Sequence, residues 1–276
     1  AQGCPLAMMW ANLLGSLWAR AIKTRTTNVT PAVYVDDKSL RTRCMQALRH
    51  SIKVTAELGD HLGNRLNPGK IDLLVLRPQD RLALADLTIG GFPPKFVQTV
   101  TSLGTTASVK HLIDYGNAHI RLNRAEHTLA PIRRMFANSA SKRRLVSGKT
   151  VPITTYESIV QILPKEHATK VSNGILAVAW GPSFALKAKE LVYTNVLAAH
   201  AFHCYWASVY TCFRDLGRMF SRTPRVASQF ARVLKLRESD PTLAYPNGPV
   251  ANALRGAKAL GASLNAELAL VLPDDS

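Results

Sequence analysis

The stretch Tyr34-Val35-Asp36-Asp37 ends an apolar run that begins at Pro31, and the interpretation of the whole chain depends on it. Valine and tyrosine favour strands and aspartate disfavours them, so we expect the two carboxylates at the end of a strand or in its turn. Adjacent carboxylates repel each other, and either a shared proton or a hard divalent cation such as Mg²⁺ relieves that repulsion. Taken alone, the tetrapeptide fits a solvated Asp-Asp turn better than a metal site.

The segments on either side of this stretch have the apolar spacing of helices. Residues 6–22 and 39–62 both repeat apolar positions every three or four residues, which predicts two helices, the second amphipathic. Gly63-Asn64 would end the second helix as a C-terminal cap. A turn at residues 66–70 precedes a predicted buried strand at residues 71–76. A strand, a helix and a second strand in this order indicate a βαβ-like α+β layer.

The composition indicates a globular protein with a polyanionic partner. The 276 residues include 35 Lys and Arg against 18 Asp and Glu, which gives a formal net charge of +17. Such an excess of positive charge is typical of proteins that bind nucleic acids. Four scattered cysteines without a CxxC pair favour an intracellular location, in the nucleus or cytoplasm, over secretion. No run of about 18 apolar residues occurs, so we predict no membrane span.

After residue 107 the pattern changes to helices with interleaved bases. The spacing predicts helices over residues 107–137 and 152–164, the second closed by Pro164. Between Lys110 and Lys149, nine bases stand against two acids. The candidate contacts to a phosphate backbone are Lys110, Arg121, Arg124, Arg133, Arg134, Lys142, Arg143 and Arg144. For any one of them, a solvated basic face is an equally good interpretation.

The aromatic-rich segment 198–220 also contains residue types that bind zinc. These are His200, His203, Cys204 and Cys212. Their spacing does not match a zinc knuckle, and the first three do not share one face of a helix. A helix core is therefore the favoured interpretation of this segment.

Four blocks in the first hundred residues resemble, in order, the C-terminal half of a reverse transcriptase palm, of the non-LTR retrotransposon and group II intron type. Gln2-Gly3-Cys4-Pro5-Leu6 resembles the Gln-Gly-x-Pro loop that lines the incoming nucleotide. Tyr34-Val35-Asp36-Asp37 is similar to the Tyr-x-Asp-Asp catalytic hairpin. Residues 63–70 resemble the following block, with its Asn-Pro-x-Lys turn. Ser102-Leu103-Gly104 resembles the Leu-Gly end of the primer-grip block.

The resemblance implies an RNA-directed DNA polymerase of a retroelement, a nucleotidyltransferase that acts on an RNA template, a DNA primer and dNTPs. In that family, two Mg²⁺ ions, or Mn²⁺ in their place, are held by three aspartates and activate the primer 3′-hydroxyl. The resemblance assigns metal binding and catalysis to Asp36 and Asp37, and places Lys70 near the pyrophosphate. The remaining assignments are nucleotide binding by Gln2, Gly3, Pro5 and Tyr34, and a primer grip at Leu103 and Gly104.

The implied fold is α+β, with three segments. Residues 1–105 would form a partial polymerase palm, a small antiparallel sheet with packed helices. Residues 106–165 would form a basic helical thumb that follows the heteroduplex by its shape, and residues 166–276 a helical connection region.

The sequence also departs from the family pattern. The third carboxylate and the fingers normally lie upstream of the Gln-Gly block, and Ala7 stands where many relatives carry Ser. Lys38 directly follows the Asp pair, where its charge could compete with a metal. We therefore expect the isolated 276 residues to be unable to polymerise. The alternative is a non-catalytic nucleic-acid-binding remnant of a retroelement protein, and a basic helical scaffold with a fortuitous Tyr-Val-Asp-Asp is a third possibility.

Overall fold

The protein is a mixed α+β structure that divides into two compact units, Ala1–Ser102 and Leu103–Ser276. The computed structural model describes residues 5–34, 37–64, 66–102, 105–110, 112–181, 189, 192–193, 197–240 and 246–273. Helices make up 62% of the structure, and the sheets have two strands each. The predicted α+β class is therefore confirmed.

The first unit combines three helices with short strands. Its elements are α1 (Pro5–Arg25), β1 (Val29–Tyr34), β2 (Asp37–Thr42), α2 (Met45–His61), a 3-10 turn (Pro68–Lys70), β3 (Asp72–Leu74), α3 (Pro78–Leu82), β4 (Lys95–Val97) and β5 (Thr99–Ser102). Strands β1 and β2 form an antiparallel hairpin, whereas β3 and β4 pair in parallel. Among the described strands, β1 and β3 belong to different sheets, so the predicted βαβ-like layer is wrong.

The helix predicted over residues 39–62 begins later, at Met45, because the chain first returns along β1 as strand β2. Leu40 fits the helical spacing, but it pairs with Pro31 across the hairpin and packs beside α1 and α2. The Thr42 hydroxyl donates to the carbonyl of Asn28 at 2.8 Å and accepts the N–H of Cys44 at 3.0 Å. These bonds satisfy the backbone where the strand ends and the helix begins.

Helix α2 is central to the first unit because it has apolar contacts on two sides. Towards α1 and the hairpin, its buried Val54 joins Trp18 and Ile22 in one cluster. The indole N–H of Trp18 also donates to the hydroxyl of Thr55 at 3.0 Å, which ties α1 to α2. A second cluster has its core at Val75, Leu84, Leu87 and Ile89, and α2 contributes Met45, Leu48 and Ile52 to its edge.

The N-terminal half of α1 carries large apolar side chains that remain accessible. Leu6, Met8, Met9, Trp10, Leu13 and Leu17 are between 42% and 67% exposed. Contiguous apolar surface of this kind marks interaction sites in soluble proteins. No helix in the described part of the chain is both long enough and apolar enough to cross a membrane.

The second unit is mostly helical. Its elements are β6 (Thr105–Ser108), α4 (Gly116–Arg134), α5 (Ser139–Leu145), a π-helical turn (Val146–Thr150), α6 (Val151–Thr155), α7 (Lys165–Trp180), α8 (Ala199–Phe202), α9 (Cys204–Arg222), α10 (Pro224–Ser239), α11 (Pro249–Ala259), β7 (Ser263–Leu264) and β8 (Leu270–Val271). The helix predicted over residues 107–137 is shorter, because β6 occupies its first residues. The main core packs α4 and α7 with the segment from Val146 to Val151 and the start of α9.

The helix predicted over residues 152–164 ends at Thr155, and a buried amide accounts for the early end. Asn252, on α11, is fully buried. Its Nδ2 donates to the carbonyl of Ser158 at 2.6 Å, and its Oδ1 accepts the N–H of Ile162 at 2.6 Å. Glu157 reverses the chain at φ +67°. The turn thus finds its hydrogen bonds on α11 instead of within a continued helix, and Pro164 precedes α7 as its N-cap.

Gly59 is required by the turn that ends α2. The N–H of Asn64 donates to the carbonyl of Gly59 at 2.7 Å, and Gly63 adopts the left-handed conformation with φ +69°. A Cβ at position 59 would lie 2.3 Å from the backbone oxygen of Asn64. We expect Gly59→Ala to lower the free energy of unfolding by about 1–3 kcal/mol, measured by urea denaturation, because that oxygen is held in the cap.

The matched control is Gly217→Ala in α9, where an added Cβ meets nothing within 4 Å. This change should raise the free energy of unfolding by about 0.5–1 kcal/mol, since alanine favours a helix interior. If Gly59→Ala and Gly217→Ala changed the free energy of unfolding in the same direction, the assignment of Gly59 to the cap would be contradicted.

Candidate functional site

The β1–β2 hairpin presents Tyr34 and Asp37 side by side. The two residues are paired in the antiparallel register, and only Val35 and Asp36 lie between them in the sequence. Tyr34 is 61% exposed, and Asp37 is exposed as well. Side chains of paired residues in an antiparallel sheet share one face, so the phenol ring and the carboxylate occupy the solvent side of the hairpin.

Lys38 lies on the opposite face. It is paired with Val33, which packs against the cluster around Trp18. The ammonium nitrogen of Lys38 is 6.0 Å from the centroid of the Trp18 ring, the outer limit of a cation–π contact. The alternation of strand side chains directs Lys38 away from the Asp37 carboxylate. The expected competition between Lys38 and a metal at Asp37 is therefore not supported by this geometry.

Several of the predicted site residues lie outside the described residues. These are Gln2, Gly3, Asp36, Leu103 and Gly104. Pro5 is the first residue of α1. Lys70 is exposed at the end of the 3-10 turn, where its N–H donates to the carbonyl of Asn67 at 3.0 Å. The Asn67 side chain accepts the N–H of Gly69 at 3.1 Å, so the turn that presents Lys70 is fixed by its own hydrogen bonds.

Asp37 fits the chemistry of a hard cation. Its carboxylate is exposed and forms no ion pair with any residue that the structure describes. Carboxylate oxygens are the ligands that Mg²⁺ and Mn²⁺ prefer. Within the described ranges, no group of three or more His, Cys, Asp or Glu side chains could hold a metal ion. Asp36, the other metal ligand that the resemblance implies, lies outside these ranges.

The possible zinc ligands of the second unit differ in exposure: the two cysteines are buried, His203 is half-buried and His200 is exposed. Cys204 and Cys212 are fully buried, and burial raises the pKa of their thiols to about 11 and about 12. Such thiols stay protonated at neutral pH, whereas zinc binds the thiolate. The rings of His200 and His203 contact Tyr210 and Tyr193, respectively. The helix-core interpretation of this segment agrees with the structure.

Two of the predicted phosphate contacts are already paired with acids. Arg121 is buried, and its Nη2 lies 3.6 Å from Oε2 of the buried Glu157. Burial lowers the pKa of Arg121, and the charge of Glu157 opposes that effect. Arg121 is thus inaccessible to a nucleic acid, and its predicted role is wrong. Lys110 lies at the surface, but its ammonium group is 2.7 Å from a carboxylate oxygen of Asp114.

Two consecutive helices each end in bases: Arg133 and Arg134 are in the last turn of α4, and Lys142, Arg143 and Arg144 are in the last turn of α5. We call this group the α4–α5 basic cluster. The Lys142 ammonium donates to the carbonyl of Arg133 at 3.0 Å, which joins the two helices. No described acid lies within ion-pair distance of the five bases. Their charge is therefore not compensated locally, as expected of a surface that binds phosphates.

Arg124 does not belong to this cluster. It is exposed on α4, nine residues before Arg133, and nine residues correspond to about 180° around a helix. The two side chains consequently leave opposite flanks of α4. The predicted phosphate contacts on this helix therefore do not all share one face.

A second run of bases lies at the junction of α9 and α10 and was not among the candidate contacts predicted from the sequence. Residues 224–237 contain four bases and no acid, and Arg225, Arg232 and Lys235 are exposed. Arg222 precedes them at the end of α9. The available signal was that the only acid of this helix, Glu238, follows all four of its bases. On α9 itself, Arg214 and Arg218 are paired with Asp215.

Comparison with known proteins found no matching family model, no matching curated protein and no matching solved structure. The structure offers two surfaces for a functional hypothesis, the exposed pair Tyr34–Asp37 and the α4–α5 basic cluster.

The α4–α5 basic cluster should account for the salt dependence of nucleic-acid binding. Replacing Lys142, Arg143 and Arg144 by Gln removes up to three phosphate contacts, each worth about 0.7–0.9 in the slope of log K against log salt. We expect the slope to fall by roughly 2–3, measured by fluorescence anisotropy with an RNA–DNA hybrid.

The matched control also removes three charges, but at bases that are paired with acids. Arg25→Gln, Lys95→Gln and Lys170→Gln act at ion pairs of 2.9, 2.8 and 3.5 Å. The control should leave the slope nearly unchanged. An equal fall in both triple variants would mean that net charge alone, and not this cluster, governs binding.

Arg121 should matter for folding instead of binding. Arg121→Met removes the cation beside the buried Glu157 carboxylate, and breaking a buried pair in this way costs about 3–5 kcal/mol. Urea denaturation should show this loss, and the salt slope of binding should stay as in the wild type. Adding Glu157→Gln should restore most of the stability, and a double variant no more stable than Arg121→Met would contradict the pairing.

Proposed function

We propose that this chain belongs to an RNA-directed DNA polymerase of a retroelement and carries part of its palm and its basic thumb. The observation that carries the proposal is the hairpin register, which pairs Tyr34 with Asp37 and leaves both residues exposed to solvent. The four sequence blocks that resemble a reverse transcriptase support it. The uncompensated charge of the α4–α5 basic cluster supports a nucleic-acid partner.

In this function, Asp36 and Asp37 hold divalent cations through their carboxylates. Bound Mg²⁺ or Mn²⁺ would supply positive charge for the primer 3′-hydroxyl and for the leaving pyrophosphate. Tyr34 shares the face of Asp37 and offers a flat, exposed ring beneath the primer terminus. Lys70, an exposed ammonium group on a hydrogen-bonded turn, stabilises negative charge near the pyrophosphate.

The thumb role rests on charge and geometry. The bases of the α4–α5 basic cluster contact the phosphate backbone of an RNA–DNA hybrid. Backbone contacts position a duplex but do not read its sequence, which suits an enzyme that copies any template. The partners in this proposal are an RNA template, a DNA primer and dNTPs.

The second candidate is nucleic-acid binding without catalysis. It is favoured by the division of the chain, since the compact unit with the basic cluster contains neither of the proposed metal ligands. It is also favoured by the ligand count, because the family uses three aspartates where this chain offers Asp36 and Asp37. On this proposal the isolated chain binds RNA–DNA hybrids through its second unit and performs no chemistry.

Iron-directed cleavage would test the polymerase proposal. Fe²⁺ takes the place of Mg²⁺ at carboxylate sites, and with a reductant and peroxide it generates radicals that cut the nearest polymer. With the full chain bound to a primer–template and a dNTP, we expect polypeptide cuts around residues 34–37 and primer cuts near the 3′ end. Excess Mg²⁺ should suppress both. Asp36→Asn and Asp37→Asn should abolish both without weakening hybrid binding.

Asp72→Asn is the matched control, because Asp72 lies in the same unit and is paired with Lys95 at 2.8 Å. It should leave the cuts in place. If cleavage is unchanged in both Asp36→Asn and Asp37→Asn while hybrid binding persists, the result would favour nucleic-acid binding without catalysis. Primer extension by the same preparation should be absent, and robust Asp36-dependent synthesis would overturn the expectation that these 276 residues cannot polymerise.

A further inference from the structure

Two histidines of the second unit face each other across the contact between α4 and α7. The Nδ1 atoms of His119 and His167 are 2.8 Å apart, and one must donate its proton to the other. The ring centroids are 5.1 Å apart, and the ring planes are inclined by 25°. Neither residue belongs to the hairpin or to the α4–α5 basic cluster.

These distances describe rings that meet edge to edge instead of face to face. The centroids are 5.1 Å apart and the Nδ1 atoms 2.8 Å apart, a difference of about 2.3 Å. In a five-membered ring with bonds of about 1.33 Å, each atom lies roughly 1.15 Å from the centroid, so this difference equals two such radii. Both Nδ1 atoms therefore lie on the line between the ring centres. Their in-plane lone-pair directions therefore point at each other, which is the arrangement in which two imidazoles share a proton, and both nitrogens are close enough to reach one metal ion after the rings turn.

The backbone holds the two histidines at this distance. Ala118 precedes His119 and Ala168 follows His167, and both alanines are fully buried in the main core. Further along the same contact, a Cβ on Gly174 would come within 2.9 Å of a methyl group of Leu129, so α4 and α7 approach closely there. The pair is thus preorganised by packing, and it does not depend on the histidine hydrogen bond alone.

The surroundings favour the neutral form of His167. Burial, and then the neighbouring His119, lower the pKa of His167, while Glu126 opposes the shift and Lys170 adds to it. Glu126 and Lys170 pair with each other at 3.5 Å, which limits the influence of either charge. The edge of the Tyr115 ring contacts His119. Neutral imidazole is the form that binds transition metals.

We propose that His119 and His167 form a two-imidazole site for a divalent transition-metal ion of the Ni²⁺, Cu²⁺ or Zn²⁺ type. Metal–nitrogen bonds of about 2.0–2.1 Å at a tetrahedral angle need the two Nδ1 atoms about 3.3 Å apart, so both rings turn out of their head-on alignment to admit the ion. The proton on the donating Nδ1 transfers to Nε2 of the same ring through solvent, so the neutral pair releases no net proton. Water completes the coordination, and the ion links α4 to α7.

The test uses the full 276-residue chain and NiCl₂ as the probe, by isothermal titration calorimetry and thermal melting at pH 7.5. We expect one ion per chain and a rise in Tm, because an ion bound only to the folded state stabilises it. His119→Gln and His167→Gln should each weaken binding by at least about tenfold, since even a lost outer-shell partner costs that much. Each should also abolish the Tm shift.

The matched control is His127→Gln, which removes an exposed imidazole from the same helix and should change neither result. Cys44→Ser excludes a contribution from the partly exposed thiol. Ni²⁺ binding that persists in both histidine variants would overturn the proposal. So would a wild-type chain that responds to pH but not to Ni²⁺, because the pair would then only share a proton.

A second measurement needs no variant and so does not depend on how the variants fold. Paramagnetic Co²⁺ broadens the proton signals of the imidazoles that bind it. Of the eight histidines in the chain, two should broaden first, at substoichiometric Co²⁺. Uniform broadening of all eight would contradict a defined site.

Discussion

The constraint that orders the first unit is that a two-stranded hairpin can bury only one of its faces. Val29, Val33 and Leu40 use that face to pack on α1 and α2, together with the buried Trp18. Because side chains alternate along each strand, the pairing register then places Tyr34 and Asp37 on the solvent face. A shift of one residue would bury the Asp37 carboxylate at a cost of several kcal/mol. Apolar packing thus fixes the exposure of the polar tip that we propose as the metal site.

The high net charge of the chain has more than one physical role. Arg121 is paired with Glu157 inside the second unit. At the surface, Arg25, Lys95 and Lys110 are paired with acids. The α4–α5 basic cluster differs from these because no described acid offsets it. Binding to a polyanion depends on such local excess, since surface pairs contribute little and are screened by salt. The positions of the acids therefore indicate a binding surface for a polyanion better than the formal net charge of +17 does.

Sequence reasoning predicted the features that depend on local pattern and missed those that depend on distant partners. Apolar spacing located α1 and most of α2, and the Asp pair correctly indicated a strand end. The same spacing wrongly extended α2 into β2, because Leu40 satisfies a helical and a hairpin pattern equally well. The early end of α6 depends on Asn252, about ninety residues away, and only the folded chain brings that amide to Ser158 and Ile162. The pairing of Arg121 with Glu157 was hidden for the same reason.

The two proposed activities are physically separable. Metal binding at the hairpin needs Asp36 and Asp37, whereas hybrid binding needs the α4–α5 basic cluster, and the two groups lie in different compact units. Changes at groups that share no partners add in free energy. A chain that lost its metal ligands would therefore keep the affinity of its basic cluster for RNA–DNA hybrids. A chain that lost the cluster would keep its carboxylates but would hold the hybrid weakly at physiological salt. The loss of catalysis in a retroelement protein thus need not remove nucleic-acid binding, which is why the non-catalytic candidate requires no different fold.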